Sequence, residues 1–600
     1  MNPRKKDASA GKVFKRIGQR GKLKVPRMIA YDFETTNIAA GTPRPLYLTA
    51  FSTEVEFHVA CAIRDMAHLR DILVNTFLID RLEGCRFVAW NANAFDAYFI
   101  AAALLQEPGY VIRPYLTASK SLRGLKIVRS GDLEARDVKG WEFLDGMAMT
   151  GLAGVSLERF AKTFAPDRAK LAGVIDWSTE SFDVNNPDHR AYAARDSEAL
   201  FYAMQRAQAI LIEYFGQALA PTMGNACIKI FRRAIPTGVE VKSLPEKALA
   251  LVRDQVMRGG FCFCVGRYEG PIWKYDINQA YAAAMRDAKL PQGDCYHRLG
   301  ALHRYASIFI CRITARHKSN RIPFYCKTLT GGRSKAVFVM DQIPDTWITS
   351  IEYEQLKREG WQIEVLESYF WTDHFSMVDF VSRLEHLRTS CEGGPSGAIG
   401  TMVKAVGNHS YGKTVEQIDP KEIVFAAECP VGFMPYCAPG EADMFGMLEH
   451  IWWRVGDIVT RDYHQPQLGA FITAHVRMVL RRAMLIDPEA WLYADTDCVA
   501  FNRDVTRVMD IDPGRYGAWK VEESGTPYRI IAKKVYASLD GAKRSAKGLN
   551  VKRLTTEDFQ QWLNGTVPVQ NQTQRQNFLR VMAGSEMYLE RTRRGTAIPL

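Results

Sequence analysis

"LYADTDCVAF", residues Leu492 to Phe501, decides how this chain is read. Its apolar residues fit two short strands, "AWLYAD" (490–495) and "CVAF" (498–501), so Asp495 and Asp497 fall at or beside the tight turn between them. Carboxylates that close repel one another unless a cation lies between them. A solvated hairpin tip meets the same spacing, so DxD alone leaves both readings open. A third carboxylate favours the metal: Asp276 closes the strand "IWKYDI" (272–277). One single and one double acidic strand end are what a two-Mg²⁺ centre needs to clamp both oxygens of a phosphoryl transfer.

The surroundings are those of an ordinary soluble protein, large enough to be a multi-part enzyme. At 600 residues and roughly 100–200 residues per domain, three to five domains with ample core are expected. Hydrophobic residues make up 47%, and no apolar run reaches the ~18 residues of a membrane span. The Lys- and Arg-bearing start has no apolar stretch or small-residue cleavage site after it, which argues against a secretory signal. Twelve cysteines are spread without a CxxC pair, Cys262 and Cys264 being nearest. They are expected as reduced thiols in a cytosol-like compartment. A net charge of +12 suits a polyanionic partner and equally a merely basic surface. The densest basic segment is 1–27, with ten Lys or Arg against one Asp. It reads as a flexible arm, either a solvated tail or a phosphate binder.

Elements alternate along the chain. "MIAYDFETTNI" (28–38) reads as a strand and "MAHLRDILVNTFLIDRL" (66–82) as helical, so the first ~200 residues look α/β. A second α/β unit starts at "IWKYDINQAYAAAM" (272–285), followed by strands and turns over 288–380. "GAIGTMVKAVGNHSYG" (397–412) reads as a helix closed by Gly412. Lys404, Asn408 and Tyr411 stand at i, i+4 and i+7 and so share a face. That face could bind a triphosphate and pack on base and sugar, or be an ordinary exposed stripe, with Gly407 leaving room for close approach. No repeat of 20–50 residues is visible.

These residues carry a resemblance. "YDINQAY" (275–281), "KAVGNHSYG" (404–412), "YADTDC" (493–498) and "KVY" (534–536) look like motifs A, B, C and KxY of the family-B DNA polymerases, in that family's order. Ahead of them, "DFETT" (32–36), "NANAFD" (91–96) and "YAARD" (192–196) are similar to its three 3′–5′ exonuclease motifs. The long stretches between motifs A and B and between B and C, with the short chain, resemble the protein-primed branch of bacteriophages and linear plasmids. "MRGGF" (257–261) looks like that branch's YxGG linker, and "FITAHVR" (471–477) is similar to it too. Four positions depart from the pattern: Met257, Gln279, His409 and Cys498. Near Asp145, where the branch has an (S/T)L pair, this chain has "DGMA".

The resemblance implies an α/β and α+β multidomain fold: an RNase H-like exonuclease domain, then a right-hand polymerase of palm, fingers and thumb with two insertions. The expected division is a basic arm at 1–27, exonuclease at 28–205, and linker with the first part of the palm at 206–287. A first insertion of terminal-protein-binding type follows at 288–379, then fingers at 380–414 and a DNA-encircling insertion at 415–467. The palm resumes at 468–547 and the thumb occupies 548–600.

It also implies chemistry. A 3′-hydroxyl would attack the α-phosphate of a dNTP over two Mg²⁺, with Mn²⁺ as a substitute. Asp276, Asp497 and the Ile277 carbonyl would hold them, and Asp495 would keep the site in order. Lys404 would neutralise phosphates; Asn408 and Tyr411 would help bind the nucleotide. Tyr281 would lie under the sugar and exclude a 2′-hydroxyl, unless it is a core aromatic. In the exonuclease, Asp32, Glu34 and Asp196 would hold a second metal pair, with Asp96 catalytic as well. Tyr192 would orient the attacking water, and Lys170 in "KLAG" is the candidate catalytic lysine. Thr35, Asn91 and Phe95 would contact single-stranded DNA, Phe95 by stacking unless it belongs to the core, and Lys534 and Tyr536 the duplex. The implied partners are template/primer DNA, dNTPs and a priming terminal protein, with no membrane. The protein would act as a strand-displacing monomer in the host cytoplasm if viral. Two alternatives stand beside this: a polymerase of the same branch that starts without a primer, and a non-catalytic DNA-binding replication factor.

Overall fold

In the computed structural model the described residues are 13–18, 23–135, 138–171, 174–175, 180–330, 333–417, 419–437, 447–456 and 461–596. The apolar run at 28–35 forms the strand Met28–Thr35, buried on both faces, and pairs in parallel with Arg86–Ala89, which pairs in parallel with Trp141–Asp145. Burial on both faces is what a mixed, helix-covered sheet demands of its central strands. Across this sheet lies a 29-residue helix, Pro187–Phe215, started by Asn186, whose side chain accepts from the Asp188 N–H. It runs through residue 205, so the expected exonuclease boundary falls inside a continuous helix; the chain turns only at Gly216, at a φ of 60°. The expected helix 66–82 is shorter, with Met66–Ile72 giving way to a wider π turn over Leu73–Phe77.

The second insertion is not a free arm. Lys421–Phe425 pairs with Tyr110–Leu116 at Phe425 and Ile112, extending the exonuclease sheet to ten strands with Met447–Val455 and Met434–Cys437 outermost. Ile423, Phe425 and Ile451 sit in the exonuclease core, and Arg113–Glu422, Arg454–Glu134 and Lys120–Asp419 ion pairs line the seam. Ile423 and Phe425 enter that core while Val424 is buried on the other face, a packing that the expected DNA-encircling arm does not anticipate. Residues 418, 438–446 and 457–460 of this insertion lie outside the described residues. Phe425→Ala should therefore cost about 3–5 kcal/mol and weaken the exonuclease domain, read as a lower melting temperature and earlier heat loss of single-strand degradation. A melting curve identical to wild type would contradict the shared core.

The basic segment 1–27 is likewise not flexible throughout. Val13–Lys15 pairs with Glu240–Lys242, and Phe14 is fully buried, with the Arg232 guanidinium 5.6 Å from its ring centre. One apolar pair amid the lysines is enough to anchor it; residues 1–12 and 19–22 lie outside the described residues.

The palm is a seven-stranded antiparallel sheet in the order Cys262–Cys264, Trp491–Asp495, Cys498–Phe501, Tyr268–Ile277, Trp519–Ala532, Val535–Ser538, Arg544–Ala546. The helices Ala280–Asp287 and Pro466–Met484 pack beside it, and Val378–Ser390 and Ala398–His409 form a helix pair where the fingers are expected. The first insertion is a separate four-stranded sheet closed by a stem, Leu290–Gln292 against Asp373–Phe375. At the end of the chain, Val569–Arg575 and Tyr588–Arg594 form a hairpin that reaches the exonuclease domain. Tyr588 and Gly41 exchange main-chain hydrogen bonds of 2.8 and 3.0 Å, and Phe578 packs edge-on against Tyr98.

Candidate active sites

Both expected strands end where the acids stand, Trp491–Asp495 and Cys498–Phe501, leaving Thr496 and Asp497 as a two-residue turn. Thr496 takes a φ of 60°, which costs a β-branched residue about 1–3 kcal/mol and persists only where its surroundings impose it. Its N–H donates to the Phe261 carbonyl at 2.8 Å and its hydroxyl to Asp495 Oδ1 at 3.1 Å. Asp276 lies across the sheet from Cys498, and the Ile277 N–H donates to the Asp497 carbonyl at 2.8 Å. Strand pairing thus delivers the three carboxylates to one sheet end.

Electrostatics bear out their crowding. Burial, then Asp276 and Asp495, push the Asp497 carboxyl up to about 6. Burial raises that of Asp276 against the pull of Lys520, whose Nζ lies 2.8 Å from Asp276 Oδ2. Lys520 stands directly opposite Asp276 on the neighbouring strand, a pairing no local pattern in the sequence signals. Lys534 is engaged too, 3.1 Å from Asp495 Oδ2, and Tyr536 packs edge-on against Tyr493, so the expected duplex contacts here brace the acidic turn.

The fingers helix stops at His409 rather than Gly412; the Ser410 hydroxyl bonds the Val406 carbonyl and Gly412–Val415 begins a 3₁₀ turn. Lys404 and Asn408 are exposed. Burial, then Arg388 and Lys520, lower the Lys404 ammonium, while Asp276 and Asp497 act on it in the opposite sense, so it lies within electrostatic reach of the acids. Tyr411 stacks on Tyr281, ring centres 5.5 Å apart, and the Tyr281 hydroxyl lies beside the Gly260 amide. A Cβ on Gly407 would stand 3.6 Å from Gln279 Oε1 and from Ala282, ordinary contact distances, so the helix packing here does not require a glycine. A Cβ on Gly151 would stand 2.7 Å from His409 Nε2, so the imidazole packs directly against the Gly151 turn. Cys498 is buried beneath the acids.

In the other domain Asp32, Glu34 and Asp196 present carboxylate oxygens all within 4.8 Å of one another. Asp196 Oδ1 is buried without a hydrogen-bond partner, and three hard oxygen donors around such an atom fit Mg²⁺ or Mn²⁺. Lys170 reaches this cluster, 2.5 Å from Asp196 Oδ2 and 3.1 Å from the Tyr192 hydroxyl. Burial opposes the Lys170 charge, yet Asp196 and Tyr192 hold its ammonium above the usual range. Asp96 is buried, its carboxyl raised by burial against the N–H groups of its own residue and Phe33. Asp145, unassigned from the sequence, accepts from the Asn93 and Met147 N–H groups and so fixes the loop before Asp96. Asn91 is exposed at a φ of 66°, and Phe95 is half-buried, edge-on to Phe99. Thr35 is buried with its hydroxyl on the Thr36 carbonyl, so it does not present the free polar group expected of a DNA contact.

Glu34 and Asp96 are each pushed up to about 7, chiefly by burial. A carboxyl raised on folding destabilises the fold once ionised: the penalty is absent below the ordinary range near 4 and complete above about 7. Metal-free protein should therefore melt lower at about pH 8 than at about pH 5.5, compared with Glu34→Gln, and Mg²⁺ should close the gap. Parallel pH dependence in both proteins would contradict this.

Residues 186–431 match the family described as DNA polymerase type B, organellar and viral. The DNA polymerases of Bacillus phages PZA and phi29 are 24% and 23% identical over 392 residues, 61% of this chain. The matched region spans 63% and 62% of those relatives' lengths, under two thirds. The solved structure of Phi29 DNA polymerase with primer-template DNA and incoming nucleotide superposes with a TM-score of 0.70 at 18% identity. The superposition covers 94% of this chain and 99% of that one.

Proposed function

We propose that this chain, which is similar to the organellar and viral type B DNA polymerases over residues 186–431, is a DNA-dependent DNA polymerase with a 3′–5′ exonuclease, replicating a linear genome from a protein primer. The observation that carries it is the delivery of Asp276 from a strand end and of Asp497 from the adjoining turn to one sheet end, within electrostatic reach of Lys404. Asp276, Asp497 and the Ile277 carbonyl would hold divalent ions, as would Asp32, Glu34 and Asp196 in the exonuclease. When bound, such ions polarise the phosphoryl group and activate the attacking oxygen.

The protein's own groups do the rest. Asp495, held by Lys534 and Thr496, keeps the turn in order. Lys404 offsets the charge that builds as pyrophosphate leaves. The Tyr281 ring, set by Tyr411 and Gly260, forms the floor under the sugar. Lys170 orients the Tyr192 hydroxyl toward an attacking water at Asp196. Protein priming is supported by the phage relatives and by the first insertion, a stemmed sheet of its own beside the palm.

Extension of a labelled primer on a template with dNTPs, with Mg²⁺ and with chelator, tests the reading; no extension in Mg²⁺ would overturn it. Synthesis on naked single-stranded template without primer would instead favour primer-independent initiation. In the same assay Tyr281→Val should raise ribonucleotide relative to deoxyribonucleotide incorporation, because the lost ring vacates the space of a 2′-hydroxyl. An unchanged ratio in an enzyme that still extends with dNTPs would return Tyr281 to the core.

A further inference from the structure

Beneath the palm lies a buried ion cluster that the mechanism above does not use. Glu352 and Arg258 are completely buried as side chains and Arg477 almost so. Glu352 Oε1 accepts from Arg258 Nη2 at 2.5 Å and from Arg477 Nη2 at 2.9 Å, and Oε2 accepts from the Thr349 N–H and hydroxyl at 2.9 and 3.0 Å. Burial alone would raise this carboxyl; the two guanidiniums outweigh it and bring it down to about 2. The three residues come from three parts of the chain: the linker, the helix Ser350–Arg358 of the first insertion, and the palm helix Pro466–Met484.

What the cluster grips is backbone. Arg477 Nη1 donates to the carbonyls of Arg258 and Gly259 at 2.5 and 3.3 Å. The next two residues reach the polymerase site. The Gly260 amide lies beside the Tyr281 hydroxyl, and the Phe261 carbonyl accepts from the Thr496 N–H in the acidic turn at 2.8 Å. A Cβ on Gly260 would stand 2.8 Å from Thr496 Cγ2 and 3.0 Å from its Cα, so the strap lies directly against that turn. One four-residue strap is thus anchored at one end by the ions and, at the other, bonds the strained Thr496 and lies beside the Tyr281 hydroxyl.

We propose that Glu352, supplied by the first insertion, is a positioning residue of the polymerase site: by orienting Arg258 and Arg477 it fixes the strap 258–261, and through it Tyr281 and the Asp495–Asp497 turn. The first insertion is then part of the machinery that selects the nucleotide and not only an appended surface. This rests on the polymerase reading of the site. A carboxylate with both oxygens saturated holds the two forks in one orientation, whereas an amide offers one acceptor and leaves two buried cations facing each other.

The test uses the full chain with Glu352→Gln, steady-state dNTP and rNTP incorporation, and single-strand degradation as an internal control. The result expected is a roughly 10²-fold fall in kcat/KM for dNTP, the size a displacement of about 1 Å produces, with a higher rNTP/dNTP ratio and unchanged degradation. Wild-type kcat/KM and sugar ratio in the folded variant would overturn the proposal. If Glu352→Gln fails to fold, Glu352→Asp decides: it keeps the charge but withdraws it by one methylene, and should raise the rNTP/dNTP ratio several-fold, while an unchanged ratio overturns the proposal. A wild-type protein that does not extend primers sinks the polymerase reading itself; an active wild type indistinguishable from the variant sinks only the role of Glu352.

Discussion

Asp497→Ala is expected to lower primer extension by roughly 10³-fold or more, the worth of several kcal/mol of charge stabilisation lost at the reacting phosphate, while degradation of single-stranded DNA continues. The carboxyl sits in the two-residue turn, crowded by Asp276 and Asp495 and partly buried, which holds it up at about 6. A group raised in this way is a cost to the metal-free fold at neutral pH. Removing it should leave the metal-free protein melting no lower than wild type, so lost extension cannot be put down to unfolding. The turn itself survives, because the hydrogen bond from the Thr496 N–H to Phe261 and the Lys534–Asp495 pair do not involve the Asp497 side chain. Extension at wild-type rate would remove Asp497 from the site.

Asp32→Ala with Asp196→Ala should do the reverse, abolishing degradation and leaving extension intact. Asp32, Glu34 and Asp196 are the one group of three acidic or metal-binding side chains among the described residues whose donor atoms meet so closely. Their ligands come from the strand Met28–Thr35 and the helix Pro187–Phe215, which share no residue with the palm sheet. Sites with no common partner behave independently. Loss of Asp196 leaves the Lys170 ammonium without its ion pair. The isosteric Asp196→Asn controls for any loss of stability. If either the Asp497 or the Asp32/Asp196 change removed both activities in a folded protein, the two-site assignment would fail.

Much of this arrangement was legible in the sequence because it is local. Asp495 and Asp497 announce a turn by their spacing, Tyr192 and Asp196 share a helix face at i, i+4, and each strand around the acids is a short apolar run. What was not legible is pairing across long separations. Lys520 meets Asp276 only through the register of two strands, and Glu352 meets Arg258 and Arg477 only once three segments have packed. The second insertion was not legible for the same reason: nothing local in residues 421–425 marks the sheet they join, and the partner is the strand edge at Ile112. Phe14 shows the same limit, a single apolar contact deciding the fate of a stretch whose charge suggested an arm.

The most direct test of two independent metal centres in one chain is anomalous diffraction from Mn²⁺-soaked crystals of the protein with primer-template DNA and a non-hydrolysable dNTP. The account predicts Mn²⁺ peaks bounded by Asp276 and Asp497 with Lys520 drawn off Asp276, and further peaks among Asp32, Glu34 and Asp196. Crystals in which either cluster carries no peak, or in which Lys520 keeps its ion pair with Asp276 beside a bound nucleotide, would contradict it.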